Sequence, residues 1–341
     1  MRLDEPVKPF PTRPAAWSIC ITSLVLVVAS GVVYALNGFV PTVLDWGTTY
    51  NPIAFVPVTI AFPIVGVLIA VRRPDNAVGW LCLFIGLANA LSNFAGELGR
   101  YLFVRDPEGS LGVFCAWFSS WSSVFVTISI GVFLPLLFPN GKLPSRRWSP
   151  VLWVGVAAMT LASLGVALDS APLGPPPYDI RNPYALENAN ALLMVLDFGS
   201  VLGPVCFVAA AASMVVRFRR SRGVERQQLK WFVYAVAVLA GLFVVEMAIL
   251  IVRGTTGVGT QRVLEDLVTA AFAAPAIAAG MAILRYRLYD IDILINRTLV
   301  YASLTVVLGL VYVVGVVGVG ACFGGSPGRT TALSWRSPPW L

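Results

Sequence analysis

Long apolar runs alternate with short polar stretches along almost the whole of this chain. A helix that crosses a bilayer needs about 20 predominantly apolar residues, and nine runs reach or approach that length. The pattern predicts an all-α fold, a polytopic transmembrane helix bundle of about nine spans. The expected spans cover residues 16–36, 52–71, 77–97, 111–138, 149–168, 192–216, 231–252, 264–284 and 298–322.

Basic residues give the predicted bundle an orientation. Lysine and arginine collect on the cytoplasmic side of multi-pass proteins. With the N-terminus in the cytoplasm, the cytoplasmic segments hold seventeen lysines and arginines, and the outer loops hold five. We expect a cytoplasmic N-terminal segment at 1–15, a sensor-type membrane domain at 16–322 in the plasma membrane, and a tail at 323–341. The seventeen are Arg2, Lys8, Arg13, Arg72, Arg73, Lys142, Arg146, Arg147, Arg217, Arg219, Arg220, Arg222, Arg226, Lys230, Arg285, Arg287 and Arg297.

Composition narrows the function classes. The chain is 57% hydrophobic, with a mean hydropathy of +0.80, which leaves no room for a soluble domain of ordinary size. The net charge of +7 then reflects basic loops, and nucleic acid is not an expected partner. The sequence has no histidine, which excludes histidine-ligated metals and a histidine base, and no cofactor is expected. Its five cysteines lie in or beside apolar runs without Cys-x-x-Cys spacing, so we interpret them as buried apolar side chains.

Ionisable groups inside predicted spans are the candidates for a binding site, because they are costly in lipid. Asp197 and Glu246 fall at similar depths on consecutive antiparallel spans. Asn89, Asn93 and Glu97 recur every four residues, which predicts one polar stripe on the third span. All five fall in the outer half of the predicted bundle, so we predict an outward-facing polar pocket that senses a cation, a proton or a small amphiphile. The alternative is that these groups form interhelical hydrogen bonds or lie among lipid headgroups.

The segment Leu284–Tyr301 is unusually charged for this chain. It carries three arginines, two aspartates and three tyrosines between two apolar runs. The topology places it on the cytoplasmic face between the eighth and ninth spans. We interpret it as a signal-transmission joint, with anchoring at the membrane interface as the alternative. The residues of this predicted joint are Arg285, Tyr286, Arg287, Tyr289, Asp290, Asp292, Asn296 and Arg297.

Four strings on the predicted inner face carry a family resemblance. They are Arg72-Arg-Pro-Asp-Asn-Ala-Val-Gly-Trp80, Leu137-Phe-Pro-Asn-Gly-Lys-Leu-Pro-Ser-Arg-Arg-Trp148, Glu225-Arg-Gln-Gln-Leu-Lys-Trp231 and the segment Arg285–Tyr301. Together and in this order, they resemble the N-terminal membrane region of a family of actinobacterial sensor histidine kinases. The resemblance covers roughly residues 16–322.

The resemblance implies a cytoplasmic output that this sequence lacks. In that family the last spans lead to a cytoplasmic portion, often with a GAF-like domain, then a histidine-containing dimerisation region and an ATP-binding domain. This sequence ends at Leu341 without a histidine, so no kinase residue matches a position here and the chain is not expected to be an enzyme. We hypothesise that a frameshift removed a tenth span and the cytoplasmic portion. When Ser334–Leu341 is back-translated with GC-rich codons and shifted by one base, it encodes Val-Ala-Val-Ala-Thr-Leu-Ala, which is typical of the start of a further span.

Three function classes remain open at this point. The favoured one is a sensory input module of a two-component system, whole or truncated. A transporter or channel for a small solute or cation is the second class, although no internal repeat is visible. A membrane-embedded enzyme is the third, which the lack of histidine disfavours. The expected partners are the bilayer, anionic lipids at the basic inner loops, a second copy of the chain, and a cytoplasmic kinase or response regulator.

Overall fold

The computed structural model describes residues 12–38, 42–43, 49–50, 52–106, 109–170, 173, 181–186, 190–253 and 260–284. These residues belong to the first of two compact units, Met1–Leu288, and the second unit is Tyr289–Leu341. The predicted ninth span, the predicted tail and the whole predicted joint from Arg285 to Arg297 lie outside the described residues.

The described part of the chain is built almost entirely from helices. Two-residue strands, β1 at Thr42–Val43 and β2 at Thr49–Tyr50, pair antiparallel between the first two helices. A π-helical turn at Ser129–Phe133 links α4 to α5, and a 3-10 turn at Arg146–Trp148 precedes α6. The helices are α1 Thr12–Leu36, α2 Pro52–Arg72, α3 Ala77–Arg105, α4 Ser110–Ile128, α5 Leu134–Leu137, α6 Ser149–Leu168, α7 Asn190–Arg220, α8 Gly223–Arg253, α9 Thr260–Ala271 and α10 Ala274–Leu284.

Seven helical segments in the described ranges are long and apolar enough to cross a membrane. The chain is therefore a helical multi-pass membrane protein, as the sequence predicts. Each predicted span up to residue 284 coincides with a helix or a pair of helices, but the count of about nine spans stays a prediction. The seven segments are Arg13–Leu36, Ala54–Arg72, Ala77–Arg105, Ser110–Leu137, Arg146–Leu168, Met194–Arg220 and Asp266–Ile283.

Two helical regions differ from the predicted spans in where they end or break. Helix α3 continues to Arg105, two turns beyond the predicted end at residue 97, so Glu97 lies inside the helix. The eighth predicted span is broken in two, because the chain turns at Phe272–Ala273 before Pro275. Proline lacks a backbone N–H and its ring clashes with the carbonyl group four residues earlier, so the helix cannot continue unbroken from Ala271 through Pro275.

Small residues let the helices approach closely. A methyl group at Gly86 would lie 2.5 Å from Cδ of Pro63, and one at Gly66 would lie 2.7 Å from the backbone N of Leu83. Helix α7 meets α6 in the same way, since a methyl group at Gly199 would lie 2.7 Å from Cβ of Leu161. Without a hydrophobic drive between helices in lipid, close packing of this kind holds a bundle together.

The helices follow one another around the bundle. Helices α1, α2 and α3 pack on each other, α3 packs on α4, α4 on α6, and α6 on α7, while α10 lies against both α2 and α8. We call the end with the α2–α3 and α7–α8 connections the basic end, and the other the far end. Exposed basic side chains at the basic end are Arg72, Arg73, Lys142, Arg146, Arg147, Arg219, Arg220, Arg222 and Arg226.

Candidate functional site

The predicted polar stripe on α3 packs against α1 and α2. Asn89 is buried and its Nδ2 donates to Oγ1 of Thr59 on α2 at 2.9 Å. Asn93 Nδ2 donates to the backbone O of Asn89 at 2.7 Å. The next member, Glu97, reaches Asn37 at the end of α1. The structure therefore brings the three residues of the stripe to one interface, toward the far end of the bundle.

Glu97 is held by two neighbours although its side chain is almost fully buried, at 2% exposure. Asn37 Nδ2 donates to Oε2 of Glu97 at 2.9 Å and also lies 3.1 Å from its backbone O. The guanidinium of Arg100, one turn further along α3, lies 3.4 Å from the same Oε2. A buried carboxylate requires such partners because an isolated charge is expensive to bury.

Two further side chains extend this group to α9. Tyr34 on α1 is buried and interacts electrostatically with Glu97, Arg100 and Asp266. Asp266 lies on α9, the first half of the last described span. We call Tyr34, Asn37, Glu97, Arg100 and Asp266 the far cluster. Its contacts join α1 and α3 at the far end of the bundle, and Asp266 of α9 is close enough to act electrostatically on Tyr34.

A cavity of about 60 Å³ lies between α1, α2 and α3 beside the far cluster. Four polar side chains line it, one of which is Tyr34 of the far cluster and another Asn93 of the stripe. None of the described residues that line it carries a charge. The lining residues are Val27, Ser30, Gly31, Tyr34, Phe55, Val56, Thr59, Ala90 and Asn93.

The other predicted pocket residues sit elsewhere in the bundle. Asp197 lies on α7 and Glu246 on α8, and their side chains are not among those that the structure describes. Helix α7 packs chiefly on α6, and α8 packs chiefly on α10 and α9. Whether these two carboxylates join the stripe in one pocket stays a prediction. Within the described ranges, no group of three or more cysteine, aspartate or glutamate side chains is placed to hold a metal ion.

A second polar site, which we did not predict from the sequence, lies at the basic end. The turn Phe138–Lys142 follows α5, and Asn76, the N-cap of α3, binds it from the side. Asn76 Oδ1 accepts from the backbone N of Val78 at 3.0 Å, and its Nδ2 donates to the backbone O of Pro139 at 2.9 Å. Gly141 has φ of +70°, and a side chain there would collide with the start of α3. Glycine is therefore required for this turn to dock.

Arg217 on α7 closes the same turn from the other side. Its guanidinium donates to the backbone O of Phe138, and at 2.6 Å to the backbone O of Lys142. The ring of Phe138 stacks on Phe232 of α8, with 4.3 Å between ring centroids. Glu225, also on α8, accepts a long 3.4 Å hydrogen bond from Asn140.

We call Asn76, the turn Phe138–Lys142, Arg217, Glu225 and Phe232 the basic-end junction. It joins the starts of α3 and α8 to the end of α7. Three of the four strings that carry the family resemblance contribute to it, namely those that begin at Arg72, Leu137 and Glu225. From the sequence, Arg217 was expected to mark the topology or to contact anionic lipid headgroups. The Pro139-Asn-Gly turn was the one signal that pointed to a defined structure here.

Helix α3 connects the two sites as one continuous rod. Asn76 caps its start in the basic-end junction, and Glu97 belongs to the far cluster. At 1.5 Å per residue they are roughly 30 Å apart along the axis. Comparison with known proteins identifies no relative, since no family model, curated protein or solved structure matches the chain.

Proposed function

We propose that this protein is the sensory input region of a membrane signalling system. One observation carries the proposal: α1 and α3, which hold the far cluster, pack on α2, and α2 packs on α9 and α10, which lead to Leu284. The charged segment Arg285–Arg297 follows immediately in the sequence. A shift that reaches α9 and α10 is therefore passed to that segment along the chain itself. The family resemblance of the four strings supports the same function.

We place the protein in the plasma membrane with about nine spans and with its N-terminus and basic end in the cytoplasm. The exposed arginines at the basic end support this orientation, since basic loops stay on the cytoplasmic side. Exposed tryptophans near the same end are consistent with a membrane interface there, because this residue is enriched at both interfaces. Trp153 on α6 is 67% exposed, and Trp17 near the start of α1 is 49% exposed. Anionic lipid headgroups are the partners that we assign to this basic surface.

The proposed mechanism is a shift between two packings of the bundle. A buried ion pair is sensitive to small displacements, because removing one partner leaves an uncompensated charge. A stimulus that moves Tyr34 would change how Glu97 and Arg100 pair, and the shift would pass through α2 to α9 and α10, which pack on it. The output lies in a cytoplasmic kinase or response regulator, or in a second copy of the chain, which receives the signal from Arg285–Arg297.

Hydrogen–deuterium exchange of the full chain in lipid nanodiscs tests this function. The variant Glu97→Gln keeps the shape of the far cluster and removes its buried negative charge. We expect it to change the protection of peptides that cover residues 285–301, on the other side of the membrane. The control Arg105→Gln alters an exposed charge at the same end of α3 and should leave those peptides unchanged.

Two results would overturn the proposal. One is identical exchange of residues 285–301 in the wild type, Glu97→Gln and Arg105→Gln, while peptides around Glu97 itself respond. The other is solute or cation flux through proteoliposomes of the purified chain that Glu97→Gln abolishes, which would assign the protein to the transporters or channels.

A further inference from the structure

The cavity beside the far cluster opens toward the lipid between α1 and α2. Gly31 and Val56 line it and are both exposed on the bundle surface. A methyl group at Gly31 would meet no atom within 4 Å, so this position leaves a gap in the wall of α1. The neighbouring surface of α1 is apolar, with Val28 at 69% exposure and Val32 at 56%. A ligand dissolved in the bilayer therefore has a lateral way in.

The lining of the cavity has the chemistry of a neutral hydrogen-bonding site. Ser30, Tyr34, Thr59 and Asn93 are its polar lining residues, while the rest of the wall is apolar. The Thr59 hydroxyl and the Asn93 amide nitrogen already form hydrogen bonds within the bundle. The nearby charges of Glu97 and Arg100 face each other at 3.4 Å and do not line the cavity. A cation would have to enter a wall without a carboxylate, which is unfavourable in a low-dielectric site.

The size of the cavity limits what enters it. The cavity of about 60 Å³ is several times the space that one enclosed water requires, roughly 10–15 Å³ on the same kind of measure. That volume accommodates a hydroxyl or amide head with its first carbon, while a longer alkyl chain would extend through the gap at Gly31 along the apolar surface of α1.

We propose that this cavity binds the uncharged polar head of a membrane-dissolved amphiphile, such as a long-chain alcohol or amide. This inference rests on the proposed function and names the chemical class of its stimulus. The sequence predicted a cation, a proton or a small amphiphile, and the cavity favours the amphiphile. The connection to the signal is Tyr34, which lines the cavity and interacts with Glu97, Arg100 and Asp266. A head group that displaces the Tyr34 hydroxyl changes the pairing in the far cluster.

Photolabelling of the purified full chain in liposomes tests the site, with a diazirine-bearing octanol as the probe. We expect saturable labelling of α1–α3 peptides that 1-octanol competes and that octyltrimethylammonium, at equal membrane concentration, does not. Gly31→Leu fills the gap and should lower labelling at least fivefold. Ser30→Ala removes one hydroxyl with little change in shape and should lower it about threefold. The matched control Ile21→Leu, on the exposed surface of α1 and about 15 Å along the helix from Gly31, should label like the wild type.

Three outcomes would overturn the inference: labelling that does not saturate, labelling that Gly31→Leu and Ser30→Ala leave unchanged, or competition by the ammonium compound as strong as that by the alcohol. The first would assign the label to general contact with lipid, and the last would favour a cation site. These failures are separable from failure of the proposed function. If Glu97→Gln still alters exchange of residues 285–301, the route across the membrane stands and only the ligand class is wrong.

Discussion

Asn76 offers a quantitative test of the basic-end junction, because one side chain makes two separable hydrogen bonds. Its Oδ1 caps α3 at the backbone N of Val78, at 3.0 Å, and its Nδ2 holds the docked turn at Pro139, at 2.9 Å. Loss of a helix cap costs about 1 kcal/mol, and loss of a hydrogen bond to a partly buried carbonyl costs about 1 kcal/mol more. Asn76→Ala should therefore destabilise the fold by about 2 kcal/mol.

A serine at this position separates the two contributions. Its hydroxyl is a good helix cap but is too short to reach the turn, so Asn76→Ser should cost about 1 kcal/mol, half the effect of alanine. Reversible unfolding by SDS in mixed micelles gives these free energies. Asp75→Ala changes an exposed neighbour and should stay within about 0.5 kcal/mol of the wild type. If serine and alanine were equally destabilising, or both as mild as Asp75→Ala, the described geometry of the junction would be refuted.

Three further predictions use the same unfolding measurement. Gly141→Ala adds a methyl group at φ of +70° that collides with the start of α3, and it should lower the free energy of unfolding by about 3 kcal/mol. Its control Gly223→Ala, at φ of +59° in open space, should lower it by about 1 kcal/mol. Gly199→Ala should cost about 2 kcal/mol by separating α7 from α6, while Gly203→Ala, whose nearest neighbour is 3.9 Å away, should be neutral or slightly stabilising. Trp117→Phe removes a 2.8 Å hydrogen bond to the main chain of α6 and should cost about 1 kcal/mol. Equal effects within either glycine pair, or an unchanged Trp117→Phe variant, would contradict the packing described above.

The positions of the helices could be predicted because lipid imposes a single length scale on apolar runs. The breaks inside the spans could not be located in this way. The π-helical turn at Ser129–Phe133 lies inside the long predicted span 111–138, where mean hydropathy does not mark it. A proline at residue 275 indicated a kink, but Pro57, Pro63 and Pro204 sit inside helices that continue past them. Which prolines break a helix depends on tertiary contacts that satisfy the freed carbonyl groups.

The candidate site could be predicted only in part. The four-residue spacing of Asn89, Asn93 and Glu97 predicted one polar face, because helical periodicity is a local property. Their partners could not be found in this way, since Asn37 and Thr59 are distant in sequence and meet α3 only after the bundle packs. Arg100 was missed as well, because the predicted third span ended at residue 97, so the three-residue spacing that pairs Arg100 with Glu97 fell outside the expected helix.

The central claim is that the far cluster controls the end of α10 at Leu284, at the basic end of the bundle. Its most direct test is the distance between nitroxide labels at Arg146, which is exposed at the start of α6, and Leu284, at the end of α10. Labels carried on p-acetylphenylalanine leave the buried cysteines unmodified, and pulsed electron resonance in nanodiscs gives the distance. We predict that Glu97→Gln shifts the mean distance by about 1–2 Å, as expected for a helix shift of a signalling protein, or splits the distribution in two. A distribution identical to that of the wild type would contradict the account.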